Sequence, residues 1–83
     1  MKAMTYVYSL RSIPFPDEWY TGMTHDLHGR LRDHNERRSV HTRRCKPWEL
    51  VLYLGFADEK RAVQFEKYLK SGSGRAFARK HFR

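Results

Sequence analysis

A single cysteine, Cys45, limits how this chain of 83 residues can be held together. No disulfide can form within the chain, so its stability has to come from one hydrophobic core. Hydrophobic residues make up 40% of the sequence and aromatic residues 14%, which is too apolar for a disordered basic tail. We therefore expect one folded domain over residues 1–83, in a reducing compartment such as the cytoplasm.

The charge of the chain is strongly unbalanced. Lys and Arg together number 17, and Asp and Glu together 9, so the formal net charge is +8 with His neutral. Such a balance favours an anionic polymer or surface as the partner. A membrane is not expected as that partner, because the longest mainly apolar stretch, residues 50–57, is far shorter than the roughly 20 residues that span a bilayer.

Three segments have the composition of β-strands. Residues 5–10 are rich in aromatic and β-branched side chains, and Pro14 and Pro16 end this strand in a loop. Residues 19–24 follow closely enough to form a hairpin with it. Residues 49–56 are a near-continuous apolar run, and we expect this third strand to be the best buried of the three.

Two helices are indicated by capping residues and apolar periodicity. Asp26 is the expected N-cap of a helix over residues 27–36, because its carboxylate can accept from backbone N–H groups of the first turn. Asp58 begins a second helix, which runs to about residue 70. Residues 37–47 between the first helix and the third strand have no apolar period, and we expect a solvated loop there.

A third helix is expected at the end of the chain. Gly72 or Gly74 suits a positive-φ position that ends the second helix, and Ser73 is the expected cap of a short helix over residues 75–82. The predicted order is β-β-α-β-α-α. The sequence therefore predicts an α+β fold, with a three-stranded antiparallel sheet flanked by about three helices.

Polar side chains interrupt the apolar faces of the first two helices. Arg30 and His34 share a stripe with Leu27 and Leu31, and Glu66 lies on the apolar stripe of the second helix. A buried carboxylate has to be paired, hydrogen-bonded or bound to a cation. Two readings remain open at this point: an internal ion pair between Arg30 and Glu66, or a functional site.

Tyrosines accumulate on the first two strands. Tyr6 and Tyr8 point to the same face of the first strand, and Tyr20 and Gly22 lie in the second. Tyrosine is an ordinary strand residue, so these positions gain interest only in combination with the inward-facing Arg, His and Glu of the helices.

In this combination the sequence resembles a GIY-YIG nuclease domain. It is similar to the small stand-alone members related to the N-terminal endonuclease module of the bacterial excision-repair subunit UvrC. The matching elements are, in order, Tyr6-Val7-Tyr8, Tyr20-Thr21-Gly22, Arg30 with His34, and Glu66. Eleven residues separate Tyr8 from Tyr20, which fits the family spacing. One departure is that no asparagine follows Asn35, where many active members have one late in the domain.

The resemblance implies divalent-metal-dependent hydrolysis of phosphodiester bonds in DNA, in a setting such as repair or recombination. Glu66 would bind Mg²⁺ or Mn²⁺, and Arg30 would stabilise charge that develops on the phosphate. Tyr8 is the candidate general base with Tyr20 as its partner, and His34 would move the proton. A phenol with an ordinary pKa near 10 needs nearby positive charge to act as a base at neutral pH.

Nucleic acid, DNA more than RNA, is the expected partner, and recognition is expected to depend on structure more than on sequence. Cations in the loop after the first helix and near the end of the chain are able to follow a phosphate backbone. Ser71 or Ser73 would take the place of the late asparagine. The candidate nucleic-acid-binding residues are Tyr6, Gly22, Arg37, Arg38, Arg43, Arg44, Lys46, Lys70, Ser71, Ser73 and Arg75.

A second hypothesis keeps the fold and removes the chemistry. The chain would then be a non-catalytic nucleic-acid-binding module, with Arg30 and Glu66 paired and the late asparagine lost. Metal-dependent nicking separates the two hypotheses. For either, 83 residues leave little room for selecting a target, so a homodimer or a partner protein would supply that selection.

Overall fold

The computed structural model describes residues 3–36 and 42–83, so the predicted contacts of Arg37 and Arg38 lie outside the described residues. The elements follow in the order β1 (Thr5–Ser12), β2 (Trp19–Thr24), α1 (Leu27–Asn35), β3 (Trp48–Phe56), α2 (Glu59–Leu69) and α3 (Gly72–His81), with a one-turn 3₁₀ helix at Arg43–Cys45 before β3. This order confirms the predicted α+β fold with its three-stranded sheet and three helices.

The strands form one antiparallel sheet in the order β2-β1-β3. β1 lies in the middle, and it is the best buried strand. The prediction that the third strand would be best buried is wrong: Val51, Tyr53 and Leu54 are 40%, 53% and 38% exposed. β1 pairs on both sides, whereas β3 is an edge strand of the sheet.

The two faces of the sheet carry separate apolar clusters. Val7 packs with Ala62 of α2 and Ala78 of α3. The next residue, Tyr8, packs with Leu31 of α1 and its neighbours. Successive residues of a strand point to opposite faces, so α2 and α3 cover one face and α1 the other. Tyr8 is therefore held between the sheet and α1.

The expected caps of the first two helices are confirmed. The carboxylate of Asp26 accepts from the backbone N–H of Gly29 at 3.1 Å, and that of Asp58 accepts from the N–H of Lys60 at 2.9 Å. Each cap satisfies one of the backbone donors that a helix leaves without an internal partner.

The connection between α2 and α3 differs from its prediction. α3 begins at Gly72, and its cap is Ser71, whose hydroxyl accepts from the N–H of Gly74 at 3.2 Å, so Ser73 is not the cap. No glycine of the described ranges has a positive φ. Gly74 is required for another reason: a Cβ there would lie 2.7 Å from the Cα of Leu69 and would overlap the Tyr68 carbonyl. The two helices approach too closely for a side chain.

The segment before β3 is more ordered than a solvated loop. Thr42 is 1% exposed, and the 3₁₀ helix follows it directly. The prediction of a solvated loop is therefore wrong at Thr42, which is buried against His34 of α1, whereas Arg43 and Arg44 are exposed as predicted; residues 37–41 lie outside the described residues. Within the two described ranges, the helices are all too short or too polar to cross a membrane.

Candidate active site

A chain of hydrogen bonds runs from the central strand through α1 to the segment before β3. The Tyr8 hydroxyl lies 2.9 Å from Nε2 of His34, and Nδ1 of His34 lies 2.6 Å from the Thr42 hydroxyl. His34 is completely buried, and Tyr8 and Thr42 are almost completely buried. Both ring nitrogens of His34 thus have a partner, as a buried imidazole requires.

The charge of Arg30 bears on the direction of these hydrogen bonds. The Arg30 guanidinium lies close enough to Tyr8 to favour its phenolate, and a guanidinium only donates. Tyr8 can therefore turn its lone pairs toward Arg30 and donate its proton to Nε2 of His34. In that arrangement a neutral His34 carries its own proton on Nδ1 and donates it to Thr42.

The environment keeps His34 neutral. Burial, followed by the charge of Arg30, lowers the pKa of His34 from 6.5 to about 4. At neutral pH the imidazole is therefore uncharged, and its Nε2 lone pair is available to the Tyr8 proton. The sequence placed His34 correctly on the inner stripe of α1.

Tyr8 is held in its protonated form in this structure. Burial, together with the neighbouring Tyr20, raises the pKa of Tyr8 to about 12. The hydrogen bond and the charge of Arg30 act in the opposite direction and favour the phenolate. Burial tends to lower the pKa of Arg30, but its contacts with Tyr8 and Tyr20 raise that pKa overall, so Arg30 stays charged.

Gly22 makes room for the two tyrosines. It pairs with Tyr8 across β1 and β2, and a Cβ on Gly22 would lie 2.6 Å from Cζ of Tyr8 and 2.9 Å from Cε1 of Tyr20. The Tyr20 ring lies 4.7 Å from the His34 ring and 6.3 Å from that of Tyr8, centroid to centroid. The glycine of the second motif is therefore needed for the close packing of the cluster.

Tyr6 lies outside this cluster. Its half-buried ring packs edge-on against Tyr53 of β3, with ring centroids 5.8 Å apart. It also covers Gly55, where a Cβ would meet the Tyr6 ring at 3.2 Å. Its predicted contact with nucleic acid stays a prediction.

Thr42 is a positioning residue that sequence reasoning missed. The Trp48 indole N–H donates to the Thr42 carbonyl at 2.8 Å, which fixes the backbone beside the hydroxyl that His34 contacts. The backbone N–H of Trp48 donates to Asn35 Oδ1 at 2.6 Å, and Asn35 Nδ2 donates back to the backbone carbonyl of Trp48 at 3.2 Å. These bonds tie the end of α1 to the start of β3. No local pattern around Thr42 predicts its burial, since its partners, His34 and Trp48, belong to other elements, α1 and β3.

Glu66 lies beside the cluster on α2. Its carboxylate contributes to the raised pKa of Tyr8, after the larger effects named above. Oε2 of Glu66 lies 2.8 Å from Nζ of Lys70, one turn further along the helix. Arg30 instead lies 3.9 Å from Asp33, so the internal ion pair between Arg30 and Glu66, one of the two interpretations that the sequence leaves open, does not form. Lys70 is nearer along the same helix, and Arg30 is engaged by the tyrosines.

A divalent cation has one carboxylate available here. Within residues 3–36 and 42–83, no three His, Cys, Asp or Glu side chains are grouped so that they could enclose a metal ion. A Mg²⁺ ion keeps several waters and binds through one or two carboxylates plus substrate phosphates, so Glu66 alone fits that mode of binding. The donor set does not fit zinc, which takes three or four protein ligands. An ion held there would compete with the Lys70 ammonium group for the Glu66 carboxylate.

A groove opens next to Tyr20, between the start of β2 and the α2–α3 connection. It has a volume of about 570 Å³, and its lining includes Trp19, Lys70, Arg75 and Arg83 as well as Tyr20. Lys70 and Arg75 were both predicted to bind nucleic acid. The structure brings these two to the groove that Tyr20 also lines; their predicted contacts with nucleic acid stay predictions.

The other predicted binding residues are spread over the surface. Arg43 and Arg44 are exposed on the 3₁₀ helix, and Lys46 is half-buried. Ser71 and Ser73 are exposed at the start of α3, where Ser71 already serves as the helix cap. Their predicted contacts with a phosphate backbone stay predictions.

The arrangement agrees with the similarity of this chain to known proteins. The UPF0213 protein YazA of Bacillus subtilis is 36% identical over 55 residues, which are 65% of this chain and 56% of YazA. The structure-specific endonuclease subunit SLX1 of Malassezia globosa is 40% identical over 63 residues, 71% of this chain and 14% of that protein. SLX1 of Kluyveromyces lactis is 42% identical over 66 residues, 71% and 23% of the respective chains.

The alignments therefore span about half of YazA and less than a quarter of these two SLX1 proteins. A family model described as the GIY-YIG catalytic domain matches residues 4–80. That match covers almost the whole chain, including β1, β2, α1 and α2, which carry the tyrosine cluster and Glu66. The chain belongs to the GIY-YIG family, as its motifs predicted.

Proposed function

We propose that this chain is a divalent-metal-dependent endonuclease that hydrolyses phosphodiester bonds in DNA and selects its substrate by structure more than by sequence. Membership of a catalytic-domain family supports a nuclease, and the SLX1 relatives are described as structure-specific endonuclease subunits. The observation that carries the proposal is the environment of Tyr8. Its hydroxyl lies 2.9 Å from Nε2 of the neutral His34, and the charges of Arg30 and Glu66 both act on it.

Each of these residues has a task that suits its chemistry. Arg30 offers fixed N–H donors and a permanent charge to a phosphate whose negative charge grows in the transition state. His34 accepts a proton at Nε2 and thereby lets Tyr8 take one from an attacking water. Tyr20 packs against the His34 ring and limits the positions that substrate and water can occupy.

The metal site follows from the same cluster. Glu66 would hold Mg²⁺ or Mn²⁺ together with the substrate phosphate, and that ion would supply positive charge for the leaving oxygen. The pKa of Tyr8, about 12, makes it a poor base before substrate binds. Positive charge near Tyr8 is therefore a requirement of the proposal, and Arg30 supplies part of it.

Nicking of DNA tests this function. Single-stranded, nicked and branched DNA is incubated with Mg²⁺ or Mn²⁺ and with wild type, Glu66→Gln or Glu59→Gln protein. Glu59 is a matched control, because it lies on the same helix, is exposed and pairs with His25. We expect wild type and Glu59→Gln to cleave equally and Glu66→Gln to lose at least 100-fold. If Glu66→Gln cleaves as well as wild type, Glu66 is not the metal ligand.

A non-catalytic nucleic-acid-binding module on the same fold is the second candidate, and one observation favours it. The carboxylate of Glu66 is bonded to Lys70, so a cation from the protein already stands where the metal would bind. On this reading wild type binds DNA but produces no nicks with either ion. A homodimer or a partner protein that selects the target, and a role in DNA repair, stay predictions for both candidates.

A further inference from the structure

The groove beside Tyr20 contains an arginine held against an aromatic ring. The guanidinium of Arg83 lies 4.5 Å from the centre of the Trp19 ring, a distance at which cation–π attraction is effective. Arg11 lies near the same ring at 5.8 Å. Arg83 has a long, adaptable side chain, so its contact with Trp19 restricts the position of its charge at the groove.

Three arginines, Arg75, Arg79 and Arg83, lie near one another on one side of this region. Burial, then the charges of Arg79 and Arg75, lower the pKa of Arg83. In the described parts of the chain no carboxylate lies within ion-pair distance of these three arginines. A bound anion would relieve their mutual repulsion, and the groove has room for one.

The lining of the groove is divided by charge along the elements that supply it. Arg75 and Arg83 come from the α3 side, whereas Asp17 and Glu18 come from the loop before β2. Carboxylates accept from the amino groups of bases but repel phosphates. A single strand can place its phosphate against the arginines on the α3 side and its base against the two carboxylates of the loop. In a duplex, the phosphates of the second strand would lie against those carboxylates and be repelled.

We propose that this groove, here called the Trp19 groove, binds one unpaired nucleotide beside the phosphate that is cleaved. Arg75 and Arg83 bind its phosphate, and Trp19 is a positioning residue that holds Arg83 in place. Tyr20 lines the groove and also packs on His34, so the two sites are continuous. The assignment of the neighbouring site as the cleavage site rests on the proposed function, whereas nucleotide binding in the groove is measurable without cleavage.

Binding in EDTA tests the groove. Fluorescence anisotropy with a labelled 12-nucleotide single strand of mixed sequence, and with the same strand in a duplex, is measured for Arg75→Gln, Arg83→Gln and Arg61→Gln. Arg61 is the matched control, because it is an exposed arginine of α2 outside the groove. We expect each groove variant to bind the single strand about tenfold more weakly, the loss of a charge-assisted hydrogen bond, and the duplex nearly as before.

Two results would overturn this assignment. Arg75→Gln and Arg83→Gln that lose no more affinity than Arg61→Gln would remove the groove as a binding site. If the groove variants lose as much affinity for the duplex as for the single strand, the groove does not select an unpaired nucleotide. Cleavage by wild type is scored separately: if no DNA is nicked but Arg83 controls binding, the proposed function fails and the groove stands. If cleavage depends on Glu66 but Arg83→Gln leaves single-strand binding unchanged, the proposed function stands and the groove assignment fails.

A double-mutant cycle tests the positioning role of Trp19. If Trp19 acts through Arg83, Trp19→Leu weakens single-strand binding as much as Arg83→Gln, and the double variant loses nothing further. Trp19→Phe keeps an aromatic face and should retain most of the affinity. Thermal unfolding of each variant identifies any that fail to fold. Additive losses in folded Trp19→Leu and Arg83→Gln proteins would refute the positioning role.

Discussion

The hydroxyl of Tyr8 is the point at which the sheet, α1 and the segment before β3 meet. Burial raises the free energy of its phenolate, and Nε2 of the neutral His34 is a nearby group that can accept its proton. Arg30 then holds a positive charge against the same oxygen. Small displacements at this position therefore change hydrogen bonding and protonation together.

Replacing Gly22 tests how tightly the tyrosines are packed. In Gly22→Ala the new methyl would overlap the Tyr8 hydroxyl and crowd Cε1 of Tyr20. We expect a loss of about 1 to 3 kcal/mol in the free energy of unfolding, the usual cost of overpacking, and a larger relative loss of nicking. Urea denaturation and the nicking assay measure the two effects. Gly72→Ala is the control, because nothing lies within 4 Å of its added Cβ; an equal effect there would contradict the packing argument.

The buried His34 predicts how stability depends on pH. Folding lowers the pKa of His34 from 6.5 to about 4, so between these values the unfolded chain binds a proton that the folded chain does not. Stability is therefore full above pH 6.5 and decreases as the pH falls, by about 3 kcal/mol from this group at pH 4. Urea denaturation of wild type and His34→Gln at pH 7, 5 and 4 measures the difference. Parallel pH profiles for the two proteins, or an NMR titration of His34 with a midpoint near 6.5, would disprove it.

Sequence reasoning reached the polar residues of the site but not all of their partners. Arg30, His34 and Glu66 stood out because they interrupt periodic apolar faces, and periodicity is a local property. Sequence alone left open an ion pair between Arg30 and Glu66, because side-chain partners depend on which charge is nearest in space. Thr42 was missed for the same reason, since its contacts with His34 and Trp48 bridge separate elements.

At the scale of elements, the order and type of strands and helices were predictable, and the place of each strand in the sheet was not. The apolar run of β3 suggested the best buried strand, yet β3 lies at the edge of the sheet. β2 follows β1 through a short loop and pairs with one of its edges, which leaves the other edge of β1 for β3. Pairing order follows from such connections, and composition does not report it.

The start of α3 offers a test of helix capping with an internal control. The Ser71 hydroxyl accepts from the Gly74 N–H and donates to the Tyr68 carbonyl at 2.6 Å, so it joins α2 to α3. We expect Ser71→Ala to lower the free energy of unfolding by about 1 kcal/mol, as loss of an N-cap does. Ser73→Ala, two residues further and exposed, should change stability by less than about 0.5 kcal/mol. Urea denaturation measures both variants. Equal losses in the free energy of unfolding would mean that Ser71 is not the N-cap of α3.

At the scale of the whole molecule, the net charge of +8 is distributed over several regions. Arg30 belongs to the tyrosine cluster, and Arg75 and Arg83 belong to the Trp19 groove. Arg43 and Arg44 project from the 3₁₀ helix on their own. A strand that reaches beyond the active site would therefore have more than one place at which its phosphates are bound.

The dependence of DNA binding on salt distinguishes local contacts from net charge. Each phosphate neutralised on a single strand contributes about 0.7 to the slope of log K against log salt concentration. If Arg43 and Arg44 each contact a phosphate, the double variant Arg43→Gln/Arg44→Gln should bind with a slope that is smaller by about 1.4. Anisotropy of a labelled single strand over a series of salt concentrations in EDTA measures this slope, and both residues are exposed, so stability should be unchanged.

The control removes the same charge from another surface. Lys60→Gln/Arg61→Gln also lowers the net charge by two, at exposed positions near the start of α2. Because a long-range field depends on total charge and a contact depends on position, we expect this control to change the slope by less than half as much. If the two double variants shift the slope equally, the arginines of the 3₁₀ helix act only through net charge, and the predicted phosphate contacts of Arg43 and Arg44 are wrong.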